Sequence, residues 1–357
     1  MKYIGLVWIV IISYMAGAQV YSTEVVTDEV NVPWGIDWLP NGDMLITERD
    51  GQLFRLSAGN LTEIKGTPQV VAEGQGGLLD VKVHPDYASN GYVYLSYSKP
   101  MGGKLATTAV VRGKLSKNSF VESAEVFRAE PASTTRHHYG SRIIFDKDGY
   151  LYVSVGDRGN RDENPQALNN HCGKIHRMND DGSVPADNPY NGNPIAMQTI
   201  YSYGHRNPQG LALNPFTGAI WEHEHGPKGG DEVNVIQPKK NYGWPVISYG
   251  VNYDGTSFTS ITEKDGMEQP INYWVPSIAP SGMDFVTSDK YGALKGDLLV
   301  GSLKFGYLHR CELEDNKIVK EEKLLDGIGR VRVVRQGPDG FIYLGVEGKG
   351  VLRLVAN

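Results

Sequence analysis

Apolar and polar positions alternate in short runs along most of the chain, and the runs come in pairs separated by a turn. Six times a glycine or other small residue leads a short alternating run, a Pro/Asp-x-Gly type turn follows, and a second run of β-branched and aromatic residues ends the phrase. The copies are PWGIDWLPNGDMLIT (33–47), GLLDVKVHPDYASNGYVYLSYS (77–98), YGSRIIFDKDGYLYVSVGD (139–157), PQGLALNPFTGAIWEHE (208–224), PSGMDFVTSDKYGALKGDLLVGS (280–302) and RVRVVRQGPDGFIYLGVE (330–347). Runs such as Tyr150-Leu151-Tyr152-Val153 and Phe341-Ile342-Tyr343-Leu344 predict inner strands of a sheet, and the Gly of each turn accepts a positive φ. A hairpin recurring every 45 to 80 residues or so is the signature of a β-propeller, in which copy number equals blade number. The pattern predicts an all-β, six-bladed propeller of four-stranded antiparallel blades. Helical periodicity is almost absent. The longest stretches without the phrase, 158–200 and 226–280, are rich in Asn, Asp, Gly and Pro. Long loops on a rigid scaffold are where sites are built.

The first 18 residues do not fit this pattern. Lys2, an apolar run from Tyr3 to Met15 and Ala16-Gly17-Ala18 read as a secretory signal peptide, too short for a comfortable membrane span. The expected mature domain is 19–357, one closed propeller in the periplasm or outside the cell, with no membrane span after cleavage. Losing that segment removes one lysine and no acid, moving the formal charge from −6 to −7. A mildly acidic chain is a poor nucleic-acid binder. The two cysteines, Cys172 and Cys311, read as separate buried thiols.

Several polar groups stand at corresponding places in the repeats. Arg136, His137 and His138 precede the third phrase. A histidine there is either a general base facing the channel, since imidazole titrates near neutrality, or a hydrogen-bonded turn residue. Tyr-Gly-His-Arg-Asn-Pro-Gln-Gly (203–210) precedes the fourth phrase, and its Arg206 and Asn207 could hold a carboxylate and a carbonyl. Gln75 opens the second phrase, Lys304 leaves the fifth, and Arg330 and Arg332 open the sixth with alternation that puts both on one strand face. Each cation alone reads as a surface charge. As a set at matching positions they suit a polyanionic small ligand. Glu222, His223, Glu224 and His225 alternate along one strand and cannot all face one metal. With Gly226, Pro227, Asp231 and Glu232 they offer carboxylates and loop carbonyls, a donor set suited to calcium.

The strings GQGGLLDVKVHPD, HHYGSRIIFDKDGYLYVSVGDRG, YGHRNPQGLALNP, EHGPKGGDEVNVIQPKKNYGWP and GSLKFG resemble the soluble glucose/aldose sugar dehydrogenases that depend on pyrroloquinoline quinone (PQQ). The likeness runs from about residue 30 to 355 and implies the same six-bladed fold. It implies His138 as the base that takes the proton of the anomeric hydroxyl, and Arg206 beside it as a catalytic group polarising the quinone carbonyl. Gln75, Arg206, Asn207, Lys304, Arg330 and Arg332 match groups that hold PQQ. The carbonyls of Gly226 and Pro227 match ligands of a calcium ion. Glu232 and the Tyr242 carbonyl match a second calcium site, to which Tyr253 and Asp254 are candidate contributors. His137 stands where glucose dehydrogenases of this type carry an acid, and alternation is expected to turn it away from the channel. Val275 falls near an aromatic that in some members covers the quinone.

The expected activity is oxidation of aldoses or related sugar aldehydes at C1, with PQQ and calcium as cofactors and an external electron acceptor, in a monomer or homodimer. Two rivals remain at this level. A calcium-dependent propeller lactonase would use the acidic loops without the cations. A non-catalytic carbohydrate-binding propeller would need neither the cations nor His138.

Overall fold

The computed structural model describes residues 20–357; the segment predicted to direct export, 1–18, lies outside them. The six phrases become six four-stranded antiparallel sheets. Each phrase supplies the two inner strands of one blade. In blade one they are Pro33–Trp38 and Met44–Glu48, completed by Leu53–Ser57 and Asn60–Ile64. The first strands of the blades, among them Leu78–Val83, Pro208–Leu213, Pro280–Phe285 and Val331–Gln336, pack against one another around the axis. Among the described residues the helical content is one four-residue helix, Tyr87–Asn90, and a 3-10 segment, Asp289–Leu294. No helix among them is long and apolar enough to cross a membrane.

The small residue leading each phrase has a steric cause. Neighbouring first strands approach so closely that a Cβ on Gly35 would lie 2.7 Å from Asp80 Oδ1 and 2.8 Å from Val81 N. Gly282 (φ 54°) would place one 2.6 Å from Val333 Cα. The inner hairpins of blades one, two, four, five and six also shift register near this point, as at Pro33/Gly35 and Val331/Val333. Such bulges sharpen the twist as the strands converge on the axis.

Among the described residues the core is divided into six seams, each between two adjacent blades, and a smaller cluster of Trp34, Leu79, Ala106 and Tyr139 from the first three blades. Leu45 and Leu53 meet Leu78 and Leu95 between blades one and two, and Ile144 and Ile175 meet Leu211 and Ile236 between blades three and four. A blade therefore has no core of its own, and closing the ring is what buries both faces. Closure uses the strand Tyr21–Thr27, which pairs with Gly350–Ala356 as the outer strand of blade six. Cys172 and Cys311 are buried free thiols.

One polar spoke crosses the axis. Arg142, 1 % exposed, donates from Nε to Gln209 O (3.1 Å) and from Nη1 to Trp34 O (3.3 Å) and Asp80 Oδ1 (3.2 Å). Its Nη2 reaches Arg332 O at 3.5 Å. The guanidinium also lies 4.1 Å from the centre of the Trp34 ring. A single side chain of blade three thus binds blades one, two, four and six.

Candidate active site and ion-binding groups

His138 lies outside any strand, in the approach to the third phrase, with φ of 58°. That conformation is uncommon for a non-glycine residue and is held here by its neighbours. The amide of His138 donates to Gln75 Oε1 (2.8 Å). Its Nδ1 meets Asp157 Oδ1 at 2.6 Å. Asp157 is 1 % exposed and also accepts from Trp244 Nε1 (2.9 Å) and the amide of Gly159 (2.8 Å). Burial alone would raise its carboxyl, but the bond from His138 and the charges of His138 and Arg206 outweigh this and hold it below the ordinary value. Burial, with the Arg206 charge added and Asp157 opposing both, lowers His138 to about 4. The imidazole is therefore neutral at pH 7. Its Nδ1–H faces an ionised carboxylate, which leaves Nε2 as the basic nitrogen.

A stability consequence follows. The folded protein binds fewer protons at His138 than the unfolded chain, whose histidine titrates at its ordinary 6.5. Stability from this group is fully present above 6.5 and is lost as pH falls towards 4. Urea unfolding of His138→Gln should show a shallower loss across that window than the parent; identical slopes would contradict the shift.

A cavity of about 660 Å³ opens at the channel mouth, lined by Gln75, Gly226, Pro227, Tyr253, Lys304, Arg330 and Arg332, with Arg49 and Lys228 adding two cations. His138, Arg206 and Asn207 are not in its lining. Gln75 joins His138 to it. Arg206 reaches it by donating from Nη1 to His225 O (2.9 Å) and Gly226 O (2.8 Å), two residues of its wall. The amide of Asn207 is tied by Oδ1 to Gly140 N (3.2 Å), while its Nδ2 is buried without a hydrogen-bond partner among the described residues. Arg330 and Arg332 do share a face, and both bind Glu347, at 2.6 and 2.5 Å. Neither is a lone surface charge, because both share this internal carboxylate. Lys304 has no carboxylate partner among the described residues, and its Nζ stands 5.1 Å from the Phe305 ring centre. The cluster of cations lining the cavity fits a flat polyanion bearing carboxylates, which is the chemistry of PQQ.

The acidic residues form a second group beneath this wall. Glu222 and Glu224 share one face of the strand Ile220–Glu224, and Glu224 stands opposite Glu232 on the next strand. Donor atoms of His205, Glu222 and Glu224 lie within 4.8 Å of one another. Burial, then the Glu224 charge, raises Glu222 and Glu232 well above the carboxylate range. Glu222 Oε1 and His205 Nδ1 are buried without hydrogen-bond partners among the described residues, with His205 Nδ1 3.5 Å from Glu224 Oε1. Glu224, Glu232, Gly226 and Arg206 enclose a space of about 10 Å³. The Tyr242 ring stacks on His205 at 4.7 Å. Crowded, under-satisfied carboxylate oxygens with backbone carbonyls nearby fit a hard divalent cation.

The remaining expectations need correction. His137 was expected to point away by strand alternation. The segment is not a strand, and the two imidazole rings touch at 4.5 Å. Tyr253 lines the cationic cavity, with its hydroxyl 3.4 Å from Arg206 Nη2, and is not part of the acidic group. Asp254 is exposed and accepts from its own turn at Thr256. Val275 is 62 % exposed and borders a different groove. Asp157, Arg49 and Lys228 were missed. Arg49 follows the second strand of its blade much as Lys304 does in blade five, so the repeat carried a signal for it.

Comparison with known proteins agrees with this geometry. The glucose/sorbosone dehydrogenase family model matches residues 30–354. The chain is 40% identical over 337 residues to the aldose sugar dehydrogenase YliI of Escherichia coli K12, covering 92% of this chain and 91% of that one. It is similar to the apo-form crystal structure of the soluble aldose sugar dehydrogenase of E. coli, with a TM-score of 0.91, 40% identity and coverage of 94% and 100%. The PQQ-bound aldose sugar dehydrogenase of Streptomyces coelicolor is similar at a TM-score of 0.76 and 30% identity, with coverage of 94% and 98%.

Proposed function

The chain belongs to the glucose/sorbosone dehydrogenase family, a group of sugar oxidoreductases, and from that premise we propose that it is a PQQ- and calcium-dependent aldose dehydrogenase. The substrate is an aldose or related sugar aldehyde, oxidised at C1 to the lactone or acid. PQQ, when bound, supplies the two-electron acceptor that no side chain can provide. The observation that carries this reading is the neutral His138, braced by Asp157 and bridged through Gln75 to a cation-lined cavity.

In this reading His138 Nε2 accepts the anomeric hydroxyl proton, and Asp157 steadies the imidazolium that results. Arg206 presents positive charge where oxygen charge develops. Lys304, Arg330 and Arg332 hold the carboxylates of the cofactor, with Gln75 and Asn207 orienting its polar edge. The carbonyls of Gly226 and Pro227 hold one calcium; Glu232, with Tyr242, holds the other. Residues 1–18 serve as the export signal, 19–357 as the mature domain, and an external acceptor takes the electrons. A lactonase would have no use for the five cations, and a binding scaffold would have none for the His138–Asp157 pair. Aldose-dependent dye reduction that requires added PQQ and calcium tests the proposal. Lactone hydrolysis without PQQ, and no dye reduction with it, would overturn it.

Lys304→Ala removes a cavity cation that has no carboxylate partner among the described residues. It should weaken PQQ binding by about 1.5–3 kcal/mol, the worth of a charge-assisted hydrogen bond. Titration of PQQ against activity should recover most of the rate at saturation; failure to recover would mean Lys304 does not hold the cofactor. Calcium neutralises the buried acids, so chelator should lower the melting temperature and calcium restore it. An unchanged transition with full PQQ binding in chelator would contradict both ion sites.

A further inference from the structure

The tripeptide His309-Arg310-Cys311 lies on the strand Leu308–Glu314 of blade five, so alternation puts His309 and Cys311 on one face. Glu321, on the neighbouring outer strand, stands directly opposite Cys311. One donor atom from each of the three lies within 4.8 Å of the others. His309 is 5 % exposed and Cys311 is fully buried. His309 Nε2 and Glu321 Oε2 are 2.6 Å apart, and Trp274 Nε1 donates to the same oxygen at 2.5 Å. His309 Nδ1 is buried and has no hydrogen-bond partner among the described residues. Glu321 and His309 line a groove of about 450 Å³ with Trp274 and Tyr307, and this groove shares no lining residue with the cationic cavity.

We propose that His309, Cys311 and Glu321 form a binding site for a borderline-soft divalent cation of the zinc class, with its fourth position open to the blade-five groove. The donors are one sulfur, one nitrogen and one oxygen. That set selects zinc-like ions and excludes calcium, which takes oxygen ligands. Zinc bonds of about 2.0–2.3 Å bring tetrahedral ligands to roughly 3.5 Å from one another. To form that shell the His309–Glu321 pair opens from 2.6 Å and the other separations close from at most 4.8 Å, side-chain adjustments of about an ångström. The cation replaces the proton shared by His309 and Glu321 and the thiol proton of Cys311, so binding releases protons. Access is through Glu321, which is exposed at the groove. The site ties the third strand of blade five to its outer strand and is independent of the quinone chemistry.

Cobalt(II) is the probe, added to the full mature protein with calcium present. One equivalent should produce a thiolate-to-cobalt charge-transfer band in the near ultraviolet, removed by zinc and unaffected by more calcium. Cys311→Ser should abolish the band, and Cys172→Ser should leave it intact. Should Cys311→Ser not fold, Glu321→Gln alters only the exposed ligand and should weaken cobalt binding on the order of 10–100-fold, as loss of a metal-site partner does. No band in the folded parent at millimolar cobalt, or an undiminished band in Cys311→Ser, would overturn the site. Unaltered cobalt affinity in Glu321→Gln would do the same.

Discussion

His138→Ala should keep calcium and PQQ binding but slow single-turnover reduction of bound PQQ by aldose on the order of 10²–10⁴-fold, the range for loss of a general base. The effect is large because the adjoining carboxylate cannot take over. Asp157 is ionised but enclosed by Trp244, Gly159 and His138. Asp157→Asn should slow the same step strongly. An amide at this position donates to Nδ1, moves the imidazole proton to Nε2 and so blocks the basic nitrogen. His137→Ala should be much milder, since His137 contacts His138 only ring to ring. Rapid-mixing absorbance of the three variants decides. A crippled His137→Ala beside a normal His138→Ala would exchange the two roles, and full rates in all three would remove the base from the mechanism.

The second large effect concerns the fold. Arg142→Leu should destabilise the protein by about 3–5 kcal/mol, the cost of stripping one partner from a buried ion pair. Asp80 is fully buried. Without Arg142 it would keep only Arg335, at 3.7 Å, as a nearby cation among the described residues. The carbonyls of Trp34, Gln209 and Arg332 would lose a donor in the same change. Urea unfolding monitored by tryptophan fluorescence measures this. A loss below about 1 kcal/mol would show that the axial spoke is replaceable by packing.

The inner hairpins were legible because every blade meets the same demand at the axis: small residue, alternating run, tight turn, second run. The outer strands were not, because they answer to local solvent. Lys317–Leu324 buries only Leu324 well and carries charges on both faces, so no pattern recurs. The closing strand was also hidden. Tyr21 pairs with Ala356, and nothing within 21–27 announces a partner at the other end of the chain. At the site, Lys304, Arg330 and Arg332 were readable from matching repeat positions and the acids from the Glu222–Glu224 alternation, whereas Arg49 and Lys228 were not picked out. The role of Asp157 was not, since it depends on Trp244, which the long 237–271 connection brings back to the third blade. His137 was misjudged for a related reason. The positive φ of His138 breaks the alternation that the surrounding runs suggest.

The most direct test of sugar oxidation at this site is anaerobic. Protein loaded with calcium and one equivalent of PQQ is mixed with an aldose, and the bound quinone spectrum is followed in one turnover. We expect complete conversion to the reduced cofactor, one lactone formed per PQQ, and a slower rate with the aldose deuterated at C1. A spectrum that aldoses leave unchanged, in protein shown to hold PQQ and calcium, would contradict the assignment.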